Sequence, residues 1–232
     1  MEQTKLQILD LFTGSGSMAN VARELGHTVF TSDYNSKLKG IDYVVDILEF
    51  DVSIVPFVPK VITASPDCAT WSKAPGSLYF PSKSLVVKKG NVKAEEKAKL
   101  AFKHILKMLE IIYYFKKLNP NLLYYIENPQ GGKLRYFLMP GPLFNKLDRM
   151  VTLDQCQYGR EFKKRTEIFT NNLKWQPRPL CTDTVNCHAR NIKNYGSGYK
   201  DSLHQLSNKS YYLRAMLPAD LCREILENSF IN

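Results

Sequence analysis

Short apolar runs alternate with stretches of helical periodicity along the first half of the chain, and this alternation constrains the fold most. Residues 6–12 are apolar and end at a glycine turn. Residues 28–32, 43–47, 60–64 and 122–126 are four further short runs. Between the first two, residues 17–25 carry apolar side chains at helical spacing until Gly26 stops them. Residues 93–117 form one long amphipathic stretch. Short buried runs predict strands and a 3.6-residue period predicts helices. Strands separated by helices predict an α/β fold, a mainly parallel sheet with helices on both faces. Residues 151–157 and 165–170 predict a late antiparallel strand pair, and residues 218–228 a closing helix. Ligands on such sheets bind at the carboxyl ends of the strands. The residues just after each run are therefore the candidate site.

Those residues carry chemistry. After the first run comes Asp10-Leu-Phe12-Thr-Gly14-Ser-Gly16-Ser-Met-Ala19. Two glycines there let backbone approach a ligand and let a helix N-terminus face it. Asp33 ends the second run and can accept hydrogen bonds from both hydroxyls of a ribose. Tyr34 offers a flat face to a purine, and Asp46, at the end of the third run, an acceptor for an adenine amino group. The same glycine and aspartate spacing fits a nicotinamide-dinucleotide fingerprint, so this half alone leaves the dinucleotide and S-adenosylmethionine open. The fourth run leads into Pro66-Asp67-Cys68-Ala-Thr-Trp71-Ser72 and the fifth into Glu127-Asn128-Pro129. A cysteine in a loop beside a charged residue is a candidate nucleophile, and Glu127 a carboxyl group at the rim of the same sheet. Lys163-Lys164-Arg165-Thr166-Glu167 is a basic cluster entering a strand.

Two stretches break the alternation. Residues 65–92 are long and rich in Lys, Ser, Gly and Pro, and loops of that length are usually functional. Residues 171–208 show no clear period. A chain of 232 residues, 44% hydrophobic and 23% charged, holds one α/β domain and a modest insert. The expected organisation is a catalytic domain over 1–170, a small recognition insert over 171–208, and a return to the first domain over 209–232. The net charge of +10 favours a polyanionic partner, nucleic acid ahead of a membrane. Five cysteines without paired spacing, no secretory signal and no long apolar run predict a soluble, intracellular monomer. Cys181, Cys187 and His188 are too irregularly spaced to predict a zinc site, and no metal is expected.

In order and across most of the chain, these motifs resemble the cytosine-C5 DNA methyltransferase family. Asp10 to Gly16 resembles its cofactor loop, Asp33-Tyr34 its acidic-aromatic pair, and Asp46-Ile47 its adenine contact. Pro66 to Ser72 resembles its nucleophile loop and Glu127-Asn128 its Glu-Asn pair. Residues 163–167 resemble its Gln-x-Arg-x-Arg strand with only Arg165 kept, and residues 214–220 its segment after the recognition region. The resemblance implies a class I, Rossmann-like fold and S-adenosylmethionine bound by Asp10, Phe12, Gly14, Gly16, Asp33, Tyr34, Asp46, Ile47 and Pro66. It implies catalysis on DNA by Cys68, Glu127, Asn128 and Arg165. Cys68 would add to carbon 6 of a flipped cytosine, Glu127 would meet ring nitrogen 3, and Arg165 would hold the base carbonyl. Lys73, Lys83, Lys88 and Lys89 would close over the base and its backbone.

There are departures. Asp67 is inserted before Cys68 and opposes thiolate formation, Glu167 replaces an arginine, and Pro129 stands where a valine is usual. No segment matches the family's C-terminal cofactor helix. An RNA cytosine-C5 methyltransferase, a non-catalytic nucleic-acid-binding module and a nicotinamide-dependent dehydrogenase are the competing readings. The last leaves Cys68 and Glu127-Asn128 unexplained.

Overall fold

The structure is a computed structural model that describes residues 5–71, 92–130, 132–138, 148–160, 163–182 and 215–230. A seven-stranded sheet runs through it in the order β3-β2-β1-β4-β5-β7-β6. Its strands are β1 (Gln7–Leu11), β2 (Thr28–Asp33), β3 (Tyr43–Val44), β4 (Val61–Ala64), β5 (Leu123–Pro129), β6 (Arg149–Asp154) and β7 (Arg165–Thr170). The first five are parallel; β7 runs antiparallel to β5, and β6 antiparallel to β7. Helices α1 (Ser17–Glu24), α2 (Val92–Leu118), α3 (Leu134–Leu138) and α4 (Ala219–Glu227) complete the described elements. This is the mainly parallel α/β sheet that the alternation predicts, in the class I, Rossmann-like form that the resemblance implies.

The sheet is buried on both faces because alternate residues of its strands feed two cores. Leu9, Leu11, Ile62, Tyr124, Ile126 and Phe169 pack against Ile105, Met108, Ile112 and Phe115 of α2. Ile8, Val61, Leu123, Tyr125 and Ile168 face Val21 and Ala22 of α1 and Leu221, Ile225 and Leu226 of α4. Four parallel strands buried on both sides read in sequence as continuous apolar runs, which is why they were visible there.

Three boundaries differ from expectation. The third run pairs only over Tyr43–Val44, because Asp46 accepts the amide of Leu48 and turns residues 47–49 into a single 3-10 turn. The strand expected over 151–157 ends at Asp154, where residues 155–158 enter another 3-10 turn closed by Gly159. β5 runs on to Pro129, so Glu127 and Asn128 lie within paired strand and not beyond it. No helix among the described residues is long and apolar enough to cross a membrane.

Candidate functional site

The carboxyl ends of β1, β2, β4 and β5 carry the site in two halves. In the first, the chain leaves β1 through Phe12, which adopts φ 53°, a left-handed conformation uncommon for a side chain of that size. Gly14 and Gly16 follow at φ 52° and 72°. Gly16 starts α1 with no side-chain cap, so the first amides of the helix remain for other partners. Asp33 closes this half. Its two oxygens accept the amides of Gly14 and Asn35, each at 2.9 Å, which fixes the carboxylate between the glycine loop and the end of β2. Tyr34 beside it is 75% exposed.

The remaining residues of this half take different positions. Asp46 is half exposed, caps its turn, and lies 3.6 Å from His104 of α2. The Ile47 side chain is buried in the core, and Pro66 is buried after β4. Asp10 is not at the rim. It lies inside β1 on the side of α1 and α4, where Thr63 of β4 donates to Oδ1 at 2.6 Å. Its Oδ2 is buried and has no hydrogen-bond partner among the described residues. Burial pushes the Asp10 carboxyl up to about 6, against the hydrogen bonds of Thr63 and Thr13.

In the second half, the loop after β4 brings Cys68 beside the end of β5. Asn128 ties the two together: it is 1% exposed and donates from Nδ2 to the Pro66 carbonyl at 3.3 Å. The Trp71 amide bonds back to the Cys68 carbonyl, and the Trp71 ring is buried edge-on against Phe102 of α2. Asn128 therefore acts here as a tie for the cysteine loop. Burial pushes the Cys68 thiol above its ordinary value, Glu127 and Asp67 push it further, and Lys164 opposes them. Glu127 is 8% exposed, and its Oε1 lies 3.6 Å from the ammonium of Lys164.

Arg165 is not brought into this group. Its guanidinium takes both oxygens of Asp154, at 2.8 and 2.9 Å, across the β6–β7 ladder. The physical reason is strand parity. Residues 164, 166 and 168 share a face with Glu127, which pairs with Ile168, whereas 165 and 167 point the other way. Glu167 is buried there and paired with Arg135 of α3 at 3.2 Å. The sequence reading missed Lys164, Arg135 and Thr63. Counting alternate residues back from Ile168 picks Lys164 over Arg165, but only once the register places Ile168 opposite Glu127. Ser72, Lys73, Lys83, Lys88, Lys89, Cys187, His188 and Arg214 lie outside the described residues.

No protein-family model and no curated protein matches the chain. Solved structures do. A methyltransferase of Entamoeba histolytica, EhMeth, aligns at TM-score 0.53 and 14% identity over 78% of this chain and 57% of its own. The S. pombe Dnmt2 methyltransferase aligns at TM-score 0.43 and 16% identity, over 72% of this chain and 49% of its own. A Spodoptera frugiperda DNMT2 mutant aligns at 0.45 and 15%, over 77% and 54%. The chain thus spans about half the length of these proteins. The first likeness establishes the fold class: a methyltransferase-type α/β sheet.

Proposed function

We propose that this protein is an S-adenosylmethionine-dependent methyltransferase acting on carbon 5 of cytosine in DNA, with Cys68 as nucleophile. One observation carries the reading: Cys68 and Glu127 come together at the ends of neighbouring strands, on the rim that also carries the Gly14–Asp33 bond. The neighbour of Entamoeba histolytica, a methyltransferase by name, supports the reaction class.

The residues of the first half fit an adenosyl group. Asp33 is fixed by two amides and keeps lone pairs for ribose hydroxyls. The left-handed Gly14 and Gly16 bring bare backbone to the rim, and Tyr34 leaves a ring open for stacking. S-adenosylmethionine supplies an electrophilic methyl group when bound.

In the second half, the Cys68 thiolate adds to carbon 6 of the cytosine ring, which makes carbon 5 nucleophilic toward that methyl group. Glu127 meets ring nitrogen 3 and stabilises the adduct. Loss of the carbon-5 proton to a base then expels the thiolate. The target atom is unreachable within a duplex, so the base must leave the stack.

The test is covalent trapping. With S-adenosylmethionine and DNA carrying 5-fluorocytosine, elimination has no proton to lose, and the protein should remain attached through Cys68. Cys68→Ser should abolish both trapping and turnover. A parallel arm with tRNA decides the nucleic acid: methylation there and none in DNA replaces the DNA reading with the RNA one. Cofactor binding with neither methylation nor adduct would leave a non-catalytic binding module. Attachment through Cys156, Cys181, Cys187 or Cys222 would overturn the assignment.

A further inference from the structure

Lys164 is the cation that the site reading left unassigned. It immediately precedes β7, and its carbonyl accepts the amide of Gln155, which ties its backbone to the end of β6. Its side chain is 12% exposed and reaches Glu127, itself 10% exposed at the side chain, at 3.6 Å. The neighbouring cations among the described residues have further partners of their own. Arg165 forks onto Asp154, Lys163 bonds the Cys181 carbonyl and lies 3.7 Å from the same Asp154, and Arg135 pairs with Glu167. Arg160 feels Glu127 but donates to Gln155 and to the Met216 carbonyl.

We propose that Lys164 is the positioning cation of the Cys68–Glu127 pair: it holds the Glu127 carboxyl group and supplies the positive charge against which Cys68 becomes a thiolate. This rests on the reading of Cys68 as nucleophile. Cys68 faces Glu127 from β5, Lys164 from the start of β7, and Asp67 from its own loop. Among the described residues that act on the thiol, Glu127 and Asp67 oppose its ionisation and Lys164 favours it. Glu127 in turn faces Lys164, Arg160, Cys68 and, across the α4 side, Cys222.

The experiment reads the thiol directly and needs no methyl transfer. The rate of Cys68 alkylation by iodoacetamide is followed against pH on the intact protein, with the modified peptide identified by mass spectrometry. Lys164→Met should move the midpoint up by about one pH unit, so that near neutral pH Cys68 reacts about tenfold more slowly. Lys164→Arg should restore most of the wild-type profile. Glu127→Gln and Asp67→Asn should move the midpoint down. Mere loosening of the site would instead raise the plateau rate in every variant and leave the midpoint in place, which overturns the proposal. An unchanged midpoint in Lys164→Met, or an equal shift in the arginine variant, overturns it as well. Failure of the fluorocytosine trap with these midpoints intact would remove the methyltransferase reading and leave Lys164 as the partner of a reactive thiol.

Discussion

Asp10 is a carboxyl group placed where water does not reach it, with one oxygen bonded and the other without a partner among the described residues. Its folded-state value, about 6, stands above the ordinary 3.8. The sign follows from linkage. A raised value means the folded state binds the proton more tightly, so the stabilising contribution is full below about pH 3.8 and is lost as pH rises through about 6. A shift of roughly two units is worth about 3 kcal/mol. Asp10→Asn cannot ionise and can still accept from Thr63. It should match the wild type near pH 4 and exceed its stability by up to about 3 kcal/mol near pH 7. Urea unfolding across that range checks this, and a constant difference at all pH values would refute it. Asp33, Cys68 and Glu127 were legible in the sequence because each follows an apolar run. Asp10 was legible as a residue but not as a buried one, since its carboxyl direction depends on which face of β1 it occupies. Lys164 was hidden by a one-residue question of parity that only the β5–β7 register answers.

Two elements hold the Cys68 half of the site in place. The turn after β5 approaches the cysteine loop so closely that a Cβ at Gly132 would stand 2.7 Å from the Trp71 carbonyl oxygen. The Lys133 amide donates to that same oxygen at 2.6 Å. Gly132→Ala must therefore push backbone against backbone, and we expect a loss of about 1–3 kcal/mol. Cys68 alkylation should also become faster as its loop lifts; a stable variant with unchanged alkylation would show that the contact is not needed. The end of β6 is the second anchor. Asp154 is fully buried and holds Arg165, Lys163 and the amide of Cys181, so it fastens the start of the segment after β7 to the sheet. Burial raises its value, but the Arg165 hydrogen bonds and charge, with Lys163 and the Cys181 amide, outweigh it and hold the carboxyl group below 3.8. Its contribution is therefore present above about pH 3.8 and lost only as pH falls through the lower folded value. Asp154→Ala leaves two partly exposed cations and the Cys181 amide without their acceptor and should cost about 1–3 kcal/mol at neutral pH. The gap to the wild type should narrow in strong acid, measured by denaturant midpoints. None of this was legible from the chain: α3 is one short turn, and Asp154 and Cys181 lie far apart in sequence.

Across the whole molecule, the strands and long helices were legible because their burial is two-sided or strongly periodic, while the closing interactions were not, because they join distant segments. The segment after β7 shows the difference. Residues 171–208 are expected to hold a small recognition insert; in its described part, residues 171–182, Trp175 is fully buried among Tyr125, Leu221 and Ile225. Glu224 of α4 gathers this region. Its Oε1 accepts the Trp175 indole N–H at 3.0 Å and the Tyr158 hydroxyl at 2.9 Å, and its Oε2 accepts from Arg178 at 3.1 Å. One carboxylate on the last described helix thus joins α4, the turn after β6 and the chain leaving β7. α4 in turn packs on α1, whose Ser17 hydroxyl accepts the Leu217 amide at 3.1 Å, beside the glycine loop. Removing the carboxylate leaves buried donors on Trp175 and Tyr158, at about 1–3 kcal/mol each. Glu224→Ala should therefore lower the melting temperature by several degrees, roughly 2–4 °C per kcal/mol for a domain of this size. If these contacts bind the parts into one cooperative unit, Trp fluorescence and far-ultraviolet circular dichroism should still report a single coincident transition in the variant. A fluorescence transition that precedes the loss of helix and sheet signal would show instead that the region around Trp175 unfolds on its own and that Glu224 fastens only that region.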